Sequence, residues 1–183
     1  MRSLAAFLAQ SQPHIVAVCD IEPGDALALA TRFALQWVYR GGQALFWRPQ
    51  YEALKIVDAY LPFSPLRPFS RRGVVRVDVM IAGVAVRVFL TQIGSRRDAR
   101  IRELRYLRET LRETQGPCIL FAVAPPSRIH YGDLGFVRAG CPGVDGETVW
   151  ARGFEIATAR ADRPHPGIGT PLLVWLNLAA HVT

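Results

Sequence analysis

The sequence predicts an α/β or α+β domain, in which strands alternate with two or three helices. Three observations predict this class. Residues 73–90 alternate apolar and polar side chains on either side of Ala82-Gly83, which is typical of an antiparallel hairpin. Two short apolar runs, His14–Cys19 and Cys118–Ala124, are typical of buried strands. Residues 95–114 carry apolar side chains at helical spacing, which indicates an amphipathic helix.

The length and composition fit one domain over residues 1–183. Half of the 183 residues are hydrophobic and 20% are charged, which excludes a disordered or collagen-like chain. There are 22 Lys and Arg against 15 Asp and Glu, so the formal net charge is +7 at pH 7. Every basic residue except Lys55 is an arginine, the side chain that best matches a phosphate. The charge is therefore compatible with an anionic partner, although a solvated, arginine-rich surface is the favoured interpretation.

The cysteines and apolar stretches indicate the cellular compartment of the protein. Cys19, Cys118 and Cys141 are widely spaced and form no CxxC motif, so they predict neither a disulfide framework nor a zinc site. No apolar stretch reaches the roughly 20 residues of a membrane-spanning helix. The apolar stretch Leu4–Ala9 is short for a signal peptide, and a first helix is the favoured interpretation. We expect a cytoplasmic protein that does not associate with membranes.

The remaining elements follow from the same patterns. In the first half we expect a helix over 3–10, a helix over 26–34 capped by Gly24 or Asp25, and a hairpin of strands 36–40 and 44–48. The segment 51–60 is ambiguous, and the prolines in 61–72 predict a loop. In the second half we expect one or two strands within 148–159 and a last strand over 172–178. In the 73–90 hairpin, Arg87 is placed to pair with Asp78 across the strands.

Arginines surround the apolar stripe of the 95–114 helix. The stripe consists of Ile101, Leu104, Leu107 and Leu111. A basic helix for nucleic acid is one interpretation. The favoured alternative is a solvated face in which Glu109 pairs with Arg105 and Arg112, because acidic residues interleave with the arginines.

Five segments of the chain stand in the order and spacing of the motifs of a known family. They are Pro13–Ile21 for a strand with the pattern PDIVALQEV, Tyr39–Leu45 for a hairpin, Val88–Ile93 for a strand ending in THL, Pro117–Pro125 for a strand ending in GDFN, and Gly167–Leu173 for SDHxPL. In this order the chain resembles the endonuclease/exonuclease/phosphatase superfamily, although no single motif is intact. The resemblance covers most of the chain. It implies a DNase I-like sandwich of two mainly antiparallel sheets flanked by helices, with the family's first strand lying before Met1 and so absent.

The resemblance also implies which residues of this chain occupy the family's catalytic positions. Its members hydrolyse phosphate esters with a divalent metal and a His–Asp pair. The metal-ligand glutamate falls on Asp20, which is one methylene shorter. The other catalytic positions are occupied by Gln92 for the THL histidine, Val123 and Pro125 for the Asp and Asn of GDFN, and Ile168 and Gly169 for the Asp and His of the last motif. These replacements predict a catalytically degenerate member that needs no cofactor.

Two weaker sets of candidate residues remain. Asp20 and Glu22 would share one face if their strand ran on, and such a pair could hold Mg²⁺ or Mn²⁺. A polar turn followed by a helix N-terminus is the favoured interpretation of the same residues. The candidate anion-binding residues near the expected mouth of the fold are Arg40, Arg48, Arg71 and Arg72.

We therefore expect a non-enzymatic binding or scaffolding module with affinity for a nucleic acid or a phosphorylated ligand. The alternative is a residual Mg- or Mn-dependent phosphodiesterase with a site rebuilt around Asp20. A third hypothesis is self-association, because an absent first strand leaves a sheet edge open and open edges pair.

Overall fold

The computed structural model describes residues 2–61, 73–94, 96–123, 131–139, 147–161 and 172–178. The helices are α1 (Arg2–Ser11), α2 (Pro23–Phe33) and α3 (Arg97–Glu113), with a short 3₁₀ turn at Gly132–Leu134. The strands are β1 (Ile15–Cys19), β2 (Gln36–Arg40), β3 (Gln43–Trp47), β4 (Ala53–Tyr60), β5 (Gly73–Ile81), β6 (Val84–Gln92), β7 (Cys118–Val123), β8 (Val137–Ala139), β9 (Glu147–Arg152), β10 (Phe154–Ala161) and β11 (Leu172–Leu178).

The first layer is a three-stranded antiparallel sheet in the order β1-β3-β2. Its outer face is covered by α1 and α2. The apolar residues that meet there include Leu4, Phe7 and Leu8 of α1, Leu29 of α2, and Ala44 and Phe46 of β3. Every residue of β3 is buried, because the central strand is covered on both faces.

The second layer is a six-stranded sheet in the order β4-β5-β6-β7-β9-β8. Its strands pair antiparallel except β6 and β7, which are parallel and joined by α3. On the face towards α3, the sheet residues Phe89, Leu120 and Trp150 share a core with Leu107 and Leu111 of the helix. The opposite face packs on the first layer through Val75, Val77, Val88 and Ile119 against Leu45 and Trp47. The two sheets therefore form a sandwich with helices outside.

A hairpin of β10 and β11 completes the described strands, and its side chains Phe154, Ile156 and Leu176 pack on the same core as the first layer. The chain leaves the six-stranded sheet at Gly153, between β9 and β10. Gly153 has φ 76°, and a Cβ there would lie 3.2 Å from Cα of Pro117. Only glycine satisfies both the left-handed backbone and this close approach.

The predicted fold class is confirmed: several sheets of mixed α/β character are flanked by helices. The ambiguous segment 51–60 contains β4, and the segment 148–159 contains two strands rather than one. The 3₁₀ turn and β8 were not expected from the sequence. The predicted loop lies outside the described residues from Pro62 onwards. No helix of the described segments is long and apolar enough to cross a membrane.

Two local predictions are wrong. Neither Gly24 nor Asp25 caps α2, because the helix already begins at Pro23 and its cap residue is Glu22, which makes no side-chain cap hydrogen bond. Proline suits a first helical position, since its fixed φ is already helical. In the 73–90 hairpin, Asp78 does lie opposite Arg87, but it pairs with Arg76.

Arg76 binds both carboxylate oxygens of Asp78 at 2.6 Å, and its guanidinium lies 5.5 Å from the ring centre of Phe89. The ring holds the guanidinium beside Asp78, so this bidentate pair forms instead of the cross-strand one. The hydrogen bond to Asp78 raises the pKa of Arg76 above its ordinary value.

The described cysteines behave as small apolar residues. Cys118 is completely buried in the core, and Cys19 is half-buried. Burial raises the pKa of the Cys118 thiol to about 12, so the reactive thiolate is scarce at neutral pH. Cys141 lies outside the described residues.

We expect Leu107→Ala to lower the free energy of unfolding by about 2–5 kcal/mol, because it leaves a cavity between α3 and the sheet. Leu107 is 0% exposed, whereas Ile101 on the other side of α3 is 48% exposed. Ile101→Ala should therefore stay within about 0.5 kcal/mol of the unmodified protein. Urea denaturation measures both values, and equal losses would contradict this orientation of α3.

Candidate functional site

Three of the positions implied by the family resemblance meet at one end of the sandwich. Asp20 follows β1, Gln92 ends β6 and Val123 ends β7. Gln92 lies opposite Val123 in the parallel pair, and the N–H of Ile93 donates to the carbonyl of Val123 at 2.7 Å. The side-chain nitrogen of Gln92 lies 3.4 and 3.3 Å from the two carboxylate oxygens of Asp20. We call Asp20, Gln92 and Val123 the Asp20 site.

The backbone turns sharply at Asp20. This residue has φ 56°, in the left-handed region that aspartate tolerates better than most residues. The next N–H, of Ile21, donates to the carbonyl of Gly42 at 3.0 Å and fixes the turn beside the β2–β3 hairpin. Because β1 stops at Cys19, Asp20 and Glu22 do not continue a strand, and the shared face expected for them is not formed. Both carboxylates are exposed in the turn before α2.

The described residues at this end do not form a ready metal site. Within the described part of the chain, no group of three or more His, Cys, Asp and Glu side chains could hold a metal ion. Mg²⁺ and Mn²⁺ are bound through oxygen ligands. At Asp20 the neighbouring side chain presents an N–H donor to the carboxylate. This hydrogen bond takes up part of the acceptor capacity of the carboxylate.

Gln43 is a polar residue in the core that the sequence analysis missed. It opens β3 opposite Cys19 and is 0% exposed. By strand alternation it points to the same side as Leu45 and Trp47, between the two layers. Neither polar atom of its side-chain amide has a hydrogen-bond partner among the described residues. Gln43 therefore places buried polar atoms between the layers at the end where Asp20 lies.

The two predicted anion-binding arginines that the structure describes, Arg40 and Arg48, do not lie together. Arg40 pairs in register with Gln43, whereas the N–H of Arg48 donates to the carbonyl of His14 at 3.1 Å. Arg40 is thus at the Asp20 end of the first layer, and Arg48 is at the other end, about one strand length away. Nε of Arg40 lies 2.7 Å from a carboxylate oxygen of Asp58.

The other predicted positions lie outside the described residues. They are Arg71, Arg72, Pro125, Ile168 and Gly169.

Glu103 is a second residue that the sequence analysis did not single out, because it is one of the acidic residues that interleave with the arginines of the helix. Its side chain is 4% exposed, and one carboxylate oxygen accepts the N–H of Gly94 at 2.6 Å. Gly94 comes two residues after Gln92, so this bond fixes the chain beside the Asp20 site. The signal was the spacing: Glu103 lies one turn before Leu107 and so on the buried face of α3.

We expect Glu103→Ala to lower the free energy of unfolding by about 1–3 kcal/mol, because the buried N–H of Gly94 loses its acceptor. Glu103→Gln keeps an acceptor oxygen at nearly the same place and should be less destabilising. Urea denaturation of the two variants measures the difference. A Gln variant as unstable as the Ala variant would show that the carboxylate charge, rather than this hydrogen bond, is what matters.

Comparisons with known proteins find similar folds among solved structures but no match by sequence. No protein-family model matches the chain, and no curated protein matches it either. Solved structures do match. An endonuclease/exonuclease/phosphatase from Bacteroides vulgatus has a TM-score of 0.80 at 12% identity, covering 96% of this chain and 89% of that one. A mannosyl-6-phosphatase from Bacteroides thetaiotaomicron has a TM-score of 0.77 at 11% identity, with the same coverage.

A third match is TDP2 from D. rerio, humanized by 14 mutations. Its TM-score is 0.73 at 13% identity, and the match covers 96% of this chain and 90% of that one. Identities this low carry no information about activity, but the match extends over nearly the whole chain. The chain therefore has the DNase I-like fold of the endonuclease/exonuclease/phosphatase proteins, and the resemblance predicted from its motif order is confirmed at the level of the fold.

Proposed function

We propose that the chain is a non-enzymatic binding domain on the DNase I-like fold, with its ligand at the Asp20 site. The contact between Gln92 and Asp20 carries this proposal. General acid–base catalysis needs a group that gains and loses a proton near neutral pH. A carboxamide does neither, so the side chain that faces the carboxylate orients it without moving a proton.

Val123 supports the same conclusion. It lies opposite Gln92 and is the last residue of β7, at the position where the family motif has an aspartate. A valine side chain neither accepts a proton nor orients a water molecule. Catalytic residues that act as a unit lose nearly all of their effect when one member is removed. Two replaced neighbours therefore favour binding without turnover.

The net charge of +7 favours an anionic ligand, either a nucleic acid or a phosphorylated small molecule. Of the predicted anion-binding arginines that the structure describes, Arg40 lies at this end, and Asp58 already shares its charge. Binding that relies on such a site is weakened by salt, because added ions screen exposed charges. We expect a modest and strongly salt-dependent affinity.

The rival function is a Mg- or Mn-dependent phosphodiesterase that uses Asp20 and Glu22. We expect no turnover of bis(p-nitrophenyl) phosphate above the buffer rate with either metal, and no heat of metal binding in calorimetry. Turnover that a chelator stops and that Asp20→Ala abolishes would contradict the proposal. Asp25→Ala is the matched control, since Asp25 lies in the first turn of α2.

For the ligand, we expect a fluorescein-labelled single-stranded oligonucleotide to bind and to lose affinity steeply between 50 and 200 mM salt, on the order of 10-fold for a few phosphate contacts. Fluorescence anisotropy measures both. Arg40→Gln should weaken binding several-fold, whereas Arg102→Gln, on the exposed face of α3, should not. Binding that does not change with salt, or no binding at all, would remove the nucleic acid from the proposal.

A further inference from the structure

A pocket of about 430 Å³ opens at the end of β1 opposite to Asp20. It lies between the carboxyl-terminal ends of α1 and α2. Its apolar lining includes Leu8, Val16, Phe33 and Leu35, and its two charged residues are Arg32 and Arg48. The proposed function of the Asp20 site does not use this pocket.

The pocket exists because both helices end over the sheet. α1 ends at Ser11, and the following Gln12 has φ 44° with its N–H bonded to the carbonyl of Leu8 at 3.0 Å. α2 ends at Phe33, and Ala34 has φ 50°. No further helical turn covers Val16, so this β1 side chain is only half-buried, as are Phe33 and Leu35. The floor of the pocket is therefore apolar surface in contact with solvent.

Two positive charges stand beside this apolar floor. Nε of Arg48 donates to the carbonyl of Pro13 at 3.3 Å, which anchors the guanidinium at the pocket. The guanidinium carbon of Arg32 lies 5.6 Å from the ring centre of Phe33. Among the described residues, neither arginine has a carboxylate within the 4.0 Å of a salt bridge.

The helix ends offset only part of that charge. A helix carboxyl terminus carries a partial charge of about −0.5, so α1 and α2 together balance roughly one of the two guanidinium groups. An anion at the pocket therefore still meets a net positive charge. Arginine presents a planar fork of donors that matches carboxylate and phosphate oxygens.

We propose that this pocket binds an amphipathic anion, with an apolar body on Val16, Phe33 and Leu35 and a carboxylate or phosphate head at Arg32 and Arg48. A volume of about 430 Å³ is within the usual range of small-molecule pockets. At the roughly 30 Å³ that one water occupies in the liquid, it holds about a dozen non-hydrogen atoms. A ten-carbon chain with an acidic head is of this size.

Isothermal titration calorimetry with decanoate, decyl phosphate and decanol tests the proposal. We expect an acidic head to bind about 10-fold more tightly than the neutral alcohol, because a charge-assisted hydrogen bond exceeds a neutral one. Octanoate should bind about 15-fold more weakly than decanoate, since it lacks two methylenes and each buried methylene contributes about fourfold. Whichever of decanoate and decyl phosphate binds more tightly identifies the preferred head group. No binding, or equal binding of decanoate and decanol, would overturn the proposal.

Variants locate the binding. Arg48→Gln should reduce the affinity for decanoate to that for decanol, and Arg32→Gln should act in the same direction. Ala9 is an exposed lining residue, so Ala9→Trp should fill the pocket and abolish binding while the protein stays folded. Arg102→Gln and Asp20→Ala are the controls and should leave decanoate binding unchanged. Decanoate binding that survives Ala9→Trp, or that is lost with Asp20→Ala, would place the ligand elsewhere and overturn the proposal.

Discussion

The central strands of the six-stranded sheet are apolar on both faces, so both faces must be covered. Val75 and Val77 face the first layer, whereas Phe89 and Leu120 face α3. α3 can cover its face only by crossing between β6 and β7, and a helical crossover makes those two strands parallel. Parallel neighbours end at the same edge of a sheet. The burial of apolar surface thus sets the ends of β6 and β7 side by side, and the Asp20 site is formed there.

Elements whose apolar residues recur at a regular spacing could be predicted from the sequence, whereas the edge strand β4 could not. The hairpin of β5 and β6 has a two-residue period because Val75, Val77 and Val79 point into the core between the layers, whereas Arg76 and Asp78 point to the other side. This signal lies within the hairpin itself. β4 is an edge strand with an irregular register between Ala53 and Lys55, and Leu54 and Ile56 are exposed. The sequence of β4 therefore shows neither the two-residue period of a strand nor the 3.6-residue period of a helix. The sandwich of two sheets was implied by the family resemblance, since no local pattern encodes it.

The residues of the candidate site also divide into those that the sequence predicted and those that it did not. Motif order led to Asp20, Gln92 and Val123, because the ends of consecutive core strands are fixed by the fold. Gln43 and Glu103 were missed because burial of a polar side chain depends on distant residues: Gln43 is enclosed between two sheets, and Glu103 is held by Gly94. A glutamine before an apolar run and an acid in an arginine-rich helix look ordinary until the layers come together.

The two ends of β1 have opposite chemistry, although every residue of the strand itself is apolar. At one end the Asp20 carboxylate meets the side-chain amide of Gln92, and at the other Arg48 borders an apolar pocket. The residues that flank a strand are free to differ, because the core constrains only the side chains between the layers. An anion held by charge alone is released as salt rises, whereas one that also buries a hydrocarbon body keeps that part of its affinity. The basic character of the chain therefore does not by itself point to the end that resembles a catalytic site, and the salt dependence of binding distinguishes the two ends.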